Sequence, residues 1–190
     1  MKILLIFFVL FFSSSVVADE ISDLQIGGMS IGDSALDYFS REELEDNKEL
    51  NWFNTTLYTP ISELYLPSSE TYESFQLAVK TNDVNYEIVN ISGFIFYEKN
   101  INKCYEQLDN ISNDVKKLFV DVMDLGKSSY DHPYDKSGES KITDIELVLN
   151  DGGIILIQCY DWSENYSYID SLRINIMSEE YKMFMDNAYD

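Results

Sequence analysis

Apolar side chains are spaced along this chain in two ways, every second residue and every third or fourth, and each spacing predicts a different element. The plainest pattern runs from Ile145 to Trp162, where two apolar runs flank Asn150-Asp151-Gly152-Gly153. Turn residues between strand-like runs predict a β-hairpin, and in its second arm Ile155, Ile157 and Cys159 fall on one face. Phe75, Leu77 and Val79 alternate within Tyr72 to Lys80, and Asn82 to Asn85 turns the chain into a second strand from Tyr86 to Tyr97. Gly93 marks a bulge or bend there. Leu172, Ile174 and Ile176 alternate as a further strand.

The helical spacing is clearest at Ile101, Cys104, Leu108, Ile111, Val115, Leu118 and Val122, the stripe of an amphipathic helix over Ile101 to Val122. Ser178 starts a last helix with the stripe Tyr181, Phe184, Met185, Ala188 and Tyr189. Ser30 with Asp33, and Ser40 with Glu43, have capping-box spacing and predict two short helices, the first along Ile31, Ala35 and Phe39. Asp19 to Gln25 reads as a loose leader, Asn51 to Glu70 as an irregular crossing, and Gly126 to Thr143 as a long mobile loop. The order is ββα-βββ-α, an α+β domain whose antiparallel sheet of about five strands carries its helices on one face.

The start of the chain adds an address. Lys2, the apolar run Ile3 to Phe12 and the small residues ending at Ala18 have the form of a secretory signal peptide cleaved after Ala18. That leaves residues 19–190 as a single domain, periplasmic or secreted, with no membrane insertion after cleavage. Two cysteines in an exported chain form a disulfide, and Cys104 and Cys159 each lie on an apolar stripe, so the bond staples the long helix across the hairpin. Thirty-four acidic residues against 13 basic ones give a net charge of −21, which disfavours nucleic acid and anionic membranes and favours a basic or polar partner.

Candidate chemistry is sparse. Gly32-Asp33-Ser34 resembles the nucleophile block of the GDSL hydrolases, which implies a serine hydrolase using Ser34 with His132 and Asp131. In that family the acid lies three residues before the histidine, where this chain has Ser129. Asp135, Ser137 and Glu139, with Glu146 beyond them, have the ligand types of a calcium loop, but Gly138 stands at the fourth position where an EF-hand needs glycine at the sixth. A calcium-stabilised adhesive module is the reading they would support. No cofactor motif occurs. The loop Tyr160 to Tyr168 mixes rings with carboxylates and amides, and Asp161, Trp162, Asn165 and Tyr166 are the candidate binding residues, although packing of Trp162 and Tyr160 over the sheet end is the competing role. Asn54, Asn90, Asn110 and Asn165 open Asn-x-Ser/Thr triplets, expected to stay unmodified behind a leader of bacterial type.

Gly28-Met29-Ser30-Ile31-Gly32-Asp33-Ser34-Ala35-Leu36-Asp37-Tyr38-Phe39, together with Cys159-Tyr160-Asp161-Trp162, resembles a group of small exported proteins of Gram-negative bacteria with a cysteine pair. That resemblance implies export but supplies no activity. Gly28-Met29-Ser30 before a short helix and antiparallel strands is fainter in its similarity to the SmpA/OmlA type of envelope lipoprotein, from which this chain departs in having no cysteine at the cleavage site. Together the readings point to a non-enzymatic exported module that binds a protein or envelope component.

Overall fold

The computed structural model describes residues 20–49, 57–98, 100–119 and 121–187; the predicted signal peptide and the sequon at Asn54 lie outside them. Seven strands form one antiparallel sheet: β1 (Tyr58–Leu64), β2 (Ser74–Lys80), β3 (Ile88–Phe96), β4 (Met123–Asp131), β5 (Lys141–Val148), β6 (Ile154–Asp161) and β7 (Ser171–Met177). Their spatial order is β1-β2-β3-β7-β6-β5-β4. The helices are α1 (Arg41–Asp46), α2 (Ile101–Leu118) and α3 (Glu179–Asn187).

The predicted α+β class and antiparallel pairing hold, but five strands is an undercount. Both additions are edge strands. β1 lies in the stretch expected to be irregular; Pro60 lacks an N–H, which an outer strand tolerates, and Glu63 sits at φ 55° where the pairing shifts. β4 falls partly in the expected loop. All nine of its residues are exposed, so no apolar alternation marks it as a strand.

The inner face of the sheet is apolar because the alternation is in phase across strands. Leu77 of β2, Ile91 of β3, Ile174 of β7, Ile157 of β6 and Ile145 of β5 all belong to one buried cluster. Helix α2 covers the β5–β7 half with Cys104, Leu108, Ser112 and Val115 buried. It ends at Leu118, a turn before the predicted Val122. The N-terminal segment and α1 cover the other half through Ile26, Met29, Phe39 and Leu44.

This segment is neither loose nor as helical as expected. Ile21 and Leu24 are buried, and the Ile21 amide donates to Asp151 Oδ2 at 2.7 Å, tying the chain start to the hairpin turn. The predicted helix along Ile31, Ala35 and Phe39 is only a single 3-10 turn, Ala35–Asp37, capped by Ser34. The Gly32 and Ala35 amides donate to the carbonyls of Ile88 and Tyr86, and in the predicted α-helix the Ala35 amide would instead be spent on the Ile31 carbonyl. The second short helix forms as predicted, with Ser40 and Glu43 in a reciprocal cap.

Gly93 is no bulge. It pairs regularly with Phe75 and Ile174, and a Cβ there would lie 2.5 Å from the Tyr72 ring and 2.8 Å from Ile26 Cγ2. A side chain is excluded because Tyr72 lies against the strand.

The helices do not all share one face, which corrects the expected layering. Helix α3 packs Tyr181 against Tyr58, ring centroids 5.1 Å apart, in a separate cluster with Ala78, Ile154 and Met177. Those residues alternate with the inner-face set, so α3 covers one end of the outer face. The rest of that face is polar, with Gln76, Ser92, Gln158 and Arg173 on neighbouring strands.

Candidate functional site

The hairpin forms as predicted, with Gly152 at φ 79° and the Gly153 amide donating to Asp151 Oδ1 at 2.8 Å. Cys104 and Cys159 are joined, S–S 2.02 Å, with their Cα atoms 5.9 Å apart. β6 therefore leaves the stapled position directly into Tyr160, Asp161 and Trp162, and the loop beyond them springs from a fixed strand end.

Two segments meet there. The β6–β7 loop brings Trp162, Tyr166 and Tyr168; the β4–β5 connection brings His132 and Tyr134. Trp162 is the hub, with centroids 4.3 Å from His132, 4.6 Å from Tyr168 and 5.9 Å from Tyr166. Tyr160 stacks on it at 6.4 Å, and Tyr134 closes the outer side at 5.8 Å from Tyr166. Trp162 is only partly exposed and packs against His132 and Tyr168. The exposed rings are Tyr134 at 62% and Tyr168 at 54%.

Asp135 holds the second segment in place. Its Oδ1 accepts from the Ser137 amide and hydroxyl, its Oδ2 from those of Ser140, at 2.7–2.9 Å. These bonds favour the ionised form and hold the carboxyl well below its usual range. The Tyr166 hydroxyl also donates to Oδ1 at 3.4 Å, and Asn165 Nδ2 donates to Glu139 Oε2 at 2.8 Å, so both segments are cross-linked by hydrogen bonds. On the inner side Asp161 accepts from the Tyr105 hydroxyl at 3.3 Å. Burial and the nearby Asp170 charge raise its pKa, while Asp170 accepts from the Trp162 amide at 2.9 Å.

The four predicted binding residues thus come together, with different duties. Trp162 is the hub of the rings, Asp161 ties the strand end to Tyr105, Asn165 ties the loop to Glu139, and Tyr166 joins the rings to Asp135. Tyr134 and Tyr168, which present the most surface, are not among them. Tyr168 continues the Tyr160–Tyr166 run, a signal visible in the chain; Tyr134 lies 28 residues before Trp162 and only the sheet brings it near.

Ser34 and His132 are not brought together. Ser34 bridges to Glu87 at the start of β3, and its hydroxyl donates to the Asn85 carbonyl at 2.5 Å. His132 follows the edge strand β4 at the opposite end of the sheet. Burial lowers its pKa, and its Nδ1 accepts from the Tyr134 amide at 3.2 Å, which places the proton of the neutral ring on Nε2. No lone pair remains to take a serine proton, and Asp131 pairs instead with Lys141 at 2.5 Å. Of the calcium alternative, Asp135 is saturated by serine and backbone donors and Glu139 binds Asn165. Among the described residues no group of three or more His, Cys, Asp or Glu could hold a metal ion. Nor is any described helix long and apolar enough to cross a membrane.

Comparison with protein-family models, with curated proteins and with solved structures finds no match to this chain.

Proposed function

We propose that this chain is an exported, non-enzymatic module that engages a protein or envelope component through the ring cluster of Tyr134, Trp162, Tyr166 and Tyr168. One observation carries the reading: two loops from different parts of the chain place rings together at a sheet end, with the outermost rings exposed and the inner ones braced. Tyrosine and tryptophan on a rigid base offer large contact area at small entropy cost, because each has only two side-chain torsions. Asp131, Glu139 and Glu164 lie exposed on the same two segments, so the surface suits a partner with basic or hydrogen-bonding groups. The leader, the cysteine pair and the disulfide are consistent with a periplasmic or secreted place of action.

A photo-crosslinking amino acid at position 168 tests this in the producing cell, with position 84 as a control. Val84 is 72% exposed on the β2–β3 turn, far from the rings. A discrete adduct from position 168, absent from 84 and lost in the Tyr134→Ala variant, is the expected result. Equal or no adduct formation from both positions would remove the surface from consideration.

A further inference from the structure

The outer face of the sheet holds a second feature, which touches the ring cluster through Tyr160. Between α3 and the middle of the sheet lies a groove of about 360 Å³ whose lining includes Gln76, Asn90, Glu146, Gln158, Arg173 and Asn175. Small-molecule sites are concavities of roughly this order with a few polar groups converging on them.

Arg173 stands on β7, the central strand of the seven. Its guanidinium is fixed by polar neutral groups: Nε and Nη2 donate to Ser92 Oγ at 3.0 and 2.8 Å, and Nη2 donates to Gln76 Oε1 at 3.2 Å. Nη1 has only the Tyr160 hydroxyl, at 3.5 Å, and Phe94 lies under the plane with its ring centre 5.6 Å from Cζ. Among the described residues no carboxylate pairs with it, in a chain with 34 acids and 13 bases. A guanidinium presents five N–H donors, so one on Nη1 is left over together with the charge.

The groove also holds unspent acceptors. Asn90 and Asn175 are each 4% exposed, and the Oδ1 of each is buried with no hydrogen-bond partner among the described residues. Buried amide oxygens are normally satisfied, and leaving one unpaired costs roughly as much as losing a hydrogen bond. Two adjacent strands each supply one, beside an arginine that has no counter-ion among the described residues.

The charges in the groove decide which ligand fits. Lys182 is paired with Asp186 at 2.5 Å, so these two cancel. Arg173 and Glu146 remain, two strands apart on the same face, and Glu146 makes no ion pair among the described residues. A ligand carrying both signs meets both groups and adds no net charge to a protein already at −21.

We infer that this groove binds a small zwitterion, an amino acid or short peptide whose carboxylate pairs with Arg173 and whose ammonium faces Glu146, its amide groups being met by Asn90, Asn175 and Gln158.

Isothermal titration of the full oxidised chain with Ala-Ala tests this, alongside N-acetyl-Ala-Ala, Ala-Ala-amide and inorganic phosphate. The expected result is saturable binding of Ala-Ala, weakened at least about tenfold by loss of the carboxylate or by Arg173→Gln. Glu146→Gln should bring Ala-Ala down to the level of its N-acetyl form and leave that form unaffected. Should Arg173→Gln fail to fold, the amide probe and Glu146→Gln carry the test alone. Side-chain amide resonances of Asn90 and Asn175 should shift on titration. No saturable binding up to about 10 mM, tighter binding of phosphate, or shifts confined to Tyr134 and Tyr168 would each overturn the proposal. The Tyr134→Ala variant should bind Ala-Ala like wild type, so this outcome and that of the ring surface are separable.

Discussion

His132 and Asp135 stand three residues apart, and both have folded-state pKa values below their ordinary ones, for different reasons. Burial disfavours the imidazolium of His132, whereas four donors from Ser137 and Ser140 favour the carboxylate of Asp135. A group with a depressed folded pKa contributes stability above its unfolded value, and that contribution is lost as pH falls toward the folded one. Both therefore weaken the fold on acidification, His132 from about pH 6.5 downward and Asp135 from about pH 4 downward. Urea unfolding across this range should show the upper decline in wild type and a flatter profile in His132→Gln, with the lower decline retained. An identical profile in both proteins would show that the ring is not desolvated as the geometry requires. At this scale the chain is readable for type but not for duty: Trp162 and Tyr166 stand out as candidates, yet which ring faces solvent depends on Tyr134 and His132 arriving from another strand connection.

Among the elements, the α2–β6 pair shows how two periodicities can specify one contact. Cys104 lies on the buried stripe of the helix and Cys159 on the inner face of the strand, so each period alone points its sulfur at the core. With a sequence separation of 55, the bond restricts the unfolded chain by about 4 kcal/mol in the loop-entropy picture. Cys104→Ala with Cys159→Ala should lower the unfolding free energy by roughly 2–4 kcal/mol in urea titrations. A loss well under about 1 kcal/mol would mean that the helix is docked by Leu108 and Val115 with little help from the bond. Strands whose faces differ are legible, as are helices with a stripe and a cap. β1 and β4 are not, because an outer strand gains its partner from the register of its neighbour and needs no apolar face of its own. The 3-10 turn at Ala35 escapes for a related reason: the Ala35 amide answers the carbonyl of Tyr86, which no local pattern records.

For the whole molecule, the net charge of −21 acts both on the fold and on its encounters. Self-repulsion among exposed carboxylates opposes compaction, and a basic partner is drawn in over distances that salt shortens. Raising sodium chloride from about 10 mM to about 150 mM should raise the melting temperature, while slowing association with a cationic partner by tenfold or more. A melting temperature that falls with salt would place attraction, not repulsion, in control of the surface. The charge does not say where a ligand sits. Arg173 illustrates this: in the chain it is one arginine in an alternating run, and in the sheet it is a guanidinium on the central strand with no carboxylate partner among the described residues.

What the chain determined by itself is local and periodic: the hairpin turn, the helix stripes, the caps at Ser40 and Ser178, the face of each cysteine and the overall charge. The charge is a sum over the composition; each of the others arises from neighbours within a few residues, where backbone geometry and side-chain direction settle the outcome. Strand order, the two edge strands, the placing of α3 on the outer face, the meeting of Tyr134 with Trp162 and the isolation of Arg173 were decided only in three dimensions. These depend on which distant segments share a register, and a sheet sets register through long-range pairing.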